Sequence, residues 1–175
     1  MPKTSARRLI LVTALVAATA LAGPAPSGPE VAVTLAPALS DRLERSGDAA
    51  ERAVLRQLAT EAMHESVARA IGRGAHRVRV DVVIEDAAPS HPTRAQLART
   101  PSLDALRTHS SGGARLTAEV RDETGRRLAR IAHEHYAPDL DRASPAGDPW
   151  ADARVAIDGA AARLAQALRT APAQP

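Results

Sequence analysis

His133-Glu134-His135 is where residue type and spacing come nearest to metal chemistry in this chain. On a strand, side chains two positions apart leave from the same face, so imidazoles at 133 and 135 can reach one ion. Zinc is held by three or four protein ligands, with a carboxylate or a third histidine commonly among them. His109, ahead of a glycine pair, and Asp139, just past the strand, are the residues that would complete the set. No HExxH spacing accompanies them. The competing account makes His133 and His135 half-buried packing groups beside Trp150 or the last helix, and the lack of an obvious third ligand favours it.

Other reactive side chains form no better constellation. Ser110 and Ser111 stand beside His109 and Gly112-Gly113, but neither occupies the strand-to-helix elbow that exposes a serine nucleophile. Glu85 and Asp86 end an apolar alternating run. Paired carboxylates do acid–base work only in a cleft that shifts their pKa values, and a solvated strand end shifts them little. The sequence therefore carries no catalytic motif and implies no cofactor. A metal-dependent exported enzyme using His133 and His135 stands as the alternative to a non-catalytic role.

The start of the chain says where it works. Lys3, Arg7 and Arg8 precede an apolar run from Leu9 to Ala20, which closes on Ala20-Leu21-Ala22. Small residues at 20 and 22 suit signal peptidase, so residues 1–22 are expected to be a cleaved signal peptide. The run is shorter than the roughly 20 residues that cross a bilayer comfortably, and no stable membrane span is expected after cleavage. With no cysteine, lipid attachment at a lipobox is excluded and no disulfide can staple the exported domain. The three basic residues of the leader account for the whole excess of 23 basic over 20 acidic residues. The chain beyond the leader is neutral, well mixed and nearly free of aromatics, which disfavours nucleic-acid binding.

Past a Pro/Gly-rich tether at 23–29, the patterns of a single domain run from 30 to 170, with a disordered tail expected at 171–175. Val31, Val33 and Leu35 alternate in a short strand that Pro37 is expected to stop. A helical stripe runs from Asp48 to Ile71 through Val54, Leu55, Leu58, Ala62 and Val67, with Asp48 and Glu51 placed as a capping box. On that helix Met63 reads as core and His64 as surface. Val78, Val80, Val82 and Ile84 alternate with Arg77, Arg79, Asp81 and Glu85, the signature of a strand with one buried and one wet face. Leu116, Ala118 and Val120 point inward on a second strand, and "DETG" turns the chain into its hairpin partner, "RRLARIAHEHY". Asp148 and Pro149 open a last helix whose apolar face is Trp150, Ala153, Ile157, Ala161, Leu164 and Leu168. The expected fold is α+β: a small, mostly antiparallel sheet of about four strands with two long helices on one face. Arg77, Arg79 and Arg121 are expected on the open face, paired across strands with Glu119 or Asp81.

Between strands lies a polar connection at 87–113, long for a compact domain and so expected to be functional or mobile. Leu97, Leu103 and Leu106 are its apolar residues. They read either as anchors for an envelope protein partner or as a cover for the second sheet face.

The stretches "IEDAAPSHPTRAQLARTPSL", "SSGGARLTAEVRDETGRRL", "YAPDL" and "WADARVAIDGAAARLA" together resemble a group of small exported proteobacterial envelope proteins, similar in layout to the domain-of-unknown-function 3313 group. The resemblance covers roughly residues 76 to 168. It rests on the order and spacing of Pro92, Thr93, Gln96, Leu97, Gly112, Gly113, Asp122, Gly125, Tyr136, Asp139, Trp150, Asp152 and Asp158. It implies a periplasmic envelope protein and supplies no catalytic residue. In that group aromatics stand where this chain has His133 and His135, and an asparagine stands near Ser90 or His91, which implies packing at 133 and 135.

Overall fold

The structure, a computed structural model, describes residues 28–72, 77–137 and 147–170. The expected leader, most of the tether, the expected tail and Asp139 lie outside these residues. In chain order the elements are β1 (Glu30–Leu35), α1 (Pro37–Arg45), α2 (Glu51–Ile71), β2 (Val78–Ala88), α3 (Arg94–Arg99), β3 (Gly113–Asp122), β4 (Arg127–Tyr136) and α4 (Ala151–Thr170). They form an α+β domain around one four-stranded sheet of order β1-β2-β3-β4. β1 runs parallel to β2, and the other neighbours are antiparallel. A parallel pair needs a crossover connection, which α1 and α2 supply.

The alternation seen in the sequence decides which sheet face is buried. Val80, Val82, Ile84, Leu116, Ala118 and Val120 are buried against Leu55, Met63 and Val67 of α2 and Ile157 and Leu164 of α4. The alanines Ala153, Ala156, Ala160 and Ala161 line the buried side of α4, so its backbone can lie close to the sheet. The two long helices are α2 and α4, and α1 and α3 add two short ones.

Four local expectations are corrected. Pro37 does not only end β1; it is the first residue of α1, where its missing N–H costs nothing. Asp48 does not cap α2, whose N-cap is Ala50 without a side-chain bond. Asp148 does act at the start of α4, accepting the Trp150 N–H (2.9 Å), but the helix proper begins at Ala151. Finally, Val54 of the expected apolar stripe faces solvent.

On the open face two of the expected arginines pair along their own strands: Arg79 meets Asp81 at 2.9 Å, and Arg121 meets Glu119. The cross-strand pairs are Arg115–Glu85 (3.2 Å), Arg115–Glu134 (3.6 Å) and Arg127–Glu119 (3.9 Å). Between the charges runs a row of small and β-branched residues, Thr34, Val83, Thr117 and Ala132, one from each strand.

The β3–β4 turn is held by Asp122. One carboxylate oxygen accepts from the Thr124 hydroxyl (2.6 Å) and from the N–H groups of Thr124 (2.9 Å) and Arg126 (3.0 Å). The Thr124 hydroxyl bond first, then Arg126 and the turn amides, hold this carboxyl at a pKa of about 2 against an ordinary 3.8. A depressed carboxylate stabilises the fold above its unfolded pKa and loses that contribution as pH falls through the folded value. The turn is therefore expected to stay ordered to near pH 2, read as the Asp122 side-chain midpoint in an NMR titration. A midpoint near the ordinary value would contradict the turn geometry.

Candidate docking surface at segment 89–112

The segment between β2 and β3, residues 89–112, is tied at its base. The Ser90 N–H donates to the Pro149 carbonyl (2.8 Å), and the Ser110 N–H donates to the Ser90 carbonyl (3.0 Å). The Ser110 hydroxyl donates to the Pro89 carbonyl (2.6 Å), so this serine acts as a strap. The Ala137 N–H donates to the Gly112 carbonyl (2.9 Å). A Cβ at Gly112 would fall 2.7 Å from the Ser90 amide nitrogen, so only glycine lets the two ends of the segment close on each other.

Periodicity did not single out the buried polar residues Asp48, Ser90, His91, Thr93 and Asp152, of which Asp48 and Thr93 are bonded to each other. Thr93 caps α3, accepting the Gln96 N–H (3.2 Å), while the Gln96 side chain accepts the Thr93 N–H (2.9 Å). The Thr93 hydroxyl in turn donates to Asp48 Oδ1 (2.5 Å), and the Ser46 hydroxyl donates to Asp48 Oδ2 (2.8 Å). Asp48, 3% exposed, thus ties the turn between α1 and α2 to the segment. Thr93-x-x-Gln96 was the readable signal, because it is a capping box. The His91 ring is buried, and His109 packs edge-on against it at 4.7 Å between centroids.

The three leucines expected as anchors take three different positions. Leu97 is half-buried and lines a cleft of about 280 Å³ with Glu51, His91, Ala105 and Trp150. Leu103 is half-buried, and Leu106 is 61% exposed. Asp104 fixes the tip, its carboxylate accepting the N–H groups of Leu106 (2.8 Å) and Arg107 (3.0 Å). The Leu106 amide first, then that of Arg107, hold the Asp104 carboxyl below the usual range. Trp150 forms the floor, with its indole N–H donating to Glu51 Oε2 (2.6 Å). The segment does not cover the open sheet face: its base bonds run to Pro149 and Ala137, and Arg79, Val83, Arg115 and Arg121 stay exposed.

Size alone would favour a depression of about 660 Å³ at the hairpin end, lined by Arg79, Arg121, His64 and Glu123. Two of its arginines, Arg79 and Arg121, are already paired with Asp81 and Glu119, while Arg77 lines it without an ion pair among the described residues. It offers no exposed apolar anchor comparable to Leu106.

His133 and His135 do share a face, the one turned toward the helices. His133 opposes Leu116 and Ala114 opposes His135. His133 is half-buried against α4, where a Cβ at Gly159 would lie 2.8 Å from His133 Nε2, and His135 is exposed. Burial first, then Arg163 and His135, push the His133 imidazole below its ordinary pKa. Of the two expected third ligands, His109 lies against His91, and Asp139 falls outside the described residues. Among the described residues no group of three or more His, Cys, Asp or Glu is placed to hold a metal ion.

Glu85 and Asp86 sit at a bulge, where the β2–β3 register shifts between Ile84 and Asp86. Glu85 pairs with Arg115 (3.2 Å). Asp86 accepts from the Tyr136 hydroxyl (2.7 Å) and from Arg42 (2.6 Å). Burial raises the Asp86 pKa, but the bonds from Tyr136 and Arg42 outweigh it and leave it below the usual range. The Tyr136 phenol moves the other way, raised by burial and then by Asp86. Its ring crosses Gly113, where a Cβ would be 2.7 Å from the ring edge.

No helix among the described residues is long and apolar enough to cross a membrane. No protein-family model, curated protein or solved structure matches the chain.

Proposed function

We propose that this chain is an exported, non-catalytic protein of the cell envelope, periplasmic in location, whose segment 89–112 docks a partner protein. Export rests on the leader pattern at 1–22. The docking reading rests on one observation above all: Leu106, 61% exposed, stands at the tip of a segment whose base is fixed by backbone bonds. A large apolar side chain on a pre-ordered loop loses little conformational entropy on binding, and apolar side chains set into a partner's groove are a recurring recognition mode. Beside it, the cleft over Trp150 and Leu97 offers a concave, mixed apolar and polar recess for a partner's side chain.

A photo-crosslinking residue placed at Ala105, beside Leu106, is expected to capture one discrete partner in intact cell envelopes. The same residue at exposed Glu65 of α2 is expected to capture none. Adding Leu106→Asp should reduce the Ala105 adduct at least tenfold, about 1.4 kcal/mol of binding. Equal labelling from both positions, or an adduct indifferent to Leu106→Asp, would sink the docking assignment.

A further inference from the structure

The free edge of the sheet assigns a second role to the histidine strand. β4 ends the sheet, and no strand among the described residues pairs with its outer side. The bond from the Ala137 N–H to the Gly112 carbonyl sets the phase of its backbone. In an antiparallel ladder, hydrogen-bonding groups alternate sides. Residues 131, 133 and 135 therefore aim their backbone groups at β3, and Arg130, Ala132 and Glu134 aim theirs outward. Such an unpaired row is a template for another strand.

We infer that this edge pairs with the β4 edge of a second copy of this chain, antiparallel about a two-fold axis through Ala132. The strand is self-complementary in that register. With Ala132 opposite its own copy, Arg130 of each chain faces Glu134 of the other. An axis centred on Arg130 or on Glu134 sets like charges opposite each other instead, which is unfavourable. Within one chain, Glu119 opposes Arg130 and Arg115 opposes Glu134. Arg115 pairs with Glu134, while Arg130 makes no ion pair among the described residues. Joining two copies therefore continues the open face as Glu119, Arg130, Glu134 and Arg115, alternating in sign across the junction. The row Thr34, Val83, Thr117 and Ala132 continues likewise through the small Ala132, whose methyl leaves room on the axis.

The helix layer fits the same symmetry. α4 packs over both β3 and β4, which places it about one strand spacing from the axis, so the two α4 helices lie roughly 10 Å apart, a normal packing distance. Gly159 marks the side of α4 that meets β4, through its contact with His133. One turn earlier on that side is Val155, 55% exposed in a single copy. The junction is isologous, so it closes at two copies and does not propagate through β4.

Sedimentation of the purified chain over a concentration series to about 1 mM tests this. A dimer is expected. Ala132→Pro should make it a monomer with unchanged circular dichroism, because the lost N–H points away from β3 and edge positions tolerate proline. Arg130→Glu and Glu134→Arg should each weaken association about tenfold, and the double swap should restore it. A monomer at every concentration, an Ala132→Pro variant that still dimerises, or a double swap as weak as the single changes would each overturn the assignment. Should Ala132→Pro fail to fold, the charge swap decides alone.

Discussion

Replacing Trp150 with alanine is expected to lower stability by about 4 kcal/mol, the middle of the range for a fully buried aromatic. The ring is 2% exposed and belongs to the same core as Ile157, Leu164 and Leu55. Its N–H reaches Glu51 at 2.6 Å, tying the first turn of α2 to the start of α4. Truncation thus opens a large void where the two long helices begin, and removes one polar tie between them. Total stabilities of domains are on the order of 5–15 kcal/mol, so the loss would remove from about a quarter to most of the total. Trp150→Phe keeps most of the volume and deletes the hydrogen bond, with an expected cost nearer 1–2 kcal/mol. Urea unfolding followed by far-ultraviolet circular dichroism measures both. An alanine variant with the parent's midpoint would show that the core closes without this ring.

Thr93→Val should cost about 3 kcal/mol, from the lost helix cap together with a buried carboxylate deprived of a donor. Valine matches threonine in shape, so packing changes little and the deficit isolates the hydroxyl. That hydroxyl serves twice, accepting from Gln96 and donating to Asp48. Thr93→Ser keeps both bonds and should cost under about 1 kcal/mol. Equal midpoints for the serine and valine variants would mean that Asp48 is satisfied by Ser46 and Arg99 without the Thr93 hydroxyl. The valine variant should also loosen segment 89–112 before the rest of the domain, seen as faster amide exchange there than in β2 and β3.

Much of the fold was legible because burial and period coincide in this sequence. Val78, Val80, Val82 and Ile84 could face only one way, and the turn at Asp122–Gly125 fixed the hairpin. The class of the last helix came from Ala153, Ile157, Ala161 and Leu164 recurring at helical steps. α1 was missed because a proline after a short strand reads as an end, while the same ring is equally at home in a first helical turn. Asp48 was misassigned because a capping-box spacing carries no information about tertiary partners. Thr93, 45 residues further along, competes for its carboxylate and wins. The arginine pairs were expected across strands, yet Arg79 and Arg121 reach carboxylates two residues away on their own strands, since both long side chains leave from the same face. Segment 89–112 was legible as a long polar connection with three leucines, but which of them stays exposed depends on the Asp104 turn and the bonds at the base.

The distribution of aromatic rings has an optical consequence. The chain contains one Trp, one Tyr and no Phe, and both rings border segment 89–112: Trp150 under its cleft and Tyr136 across Gly113 at its exit. Nearly all intrinsic emission and near-ultraviolet dichroism of the molecule therefore arises beside segment 89–112, while the rest of the sheet and of the long helices contributes almost nothing to either signal. An event confined to the far hairpin would pass unseen, and an occupant settling on Leu97 and Leu106 would register without any added label.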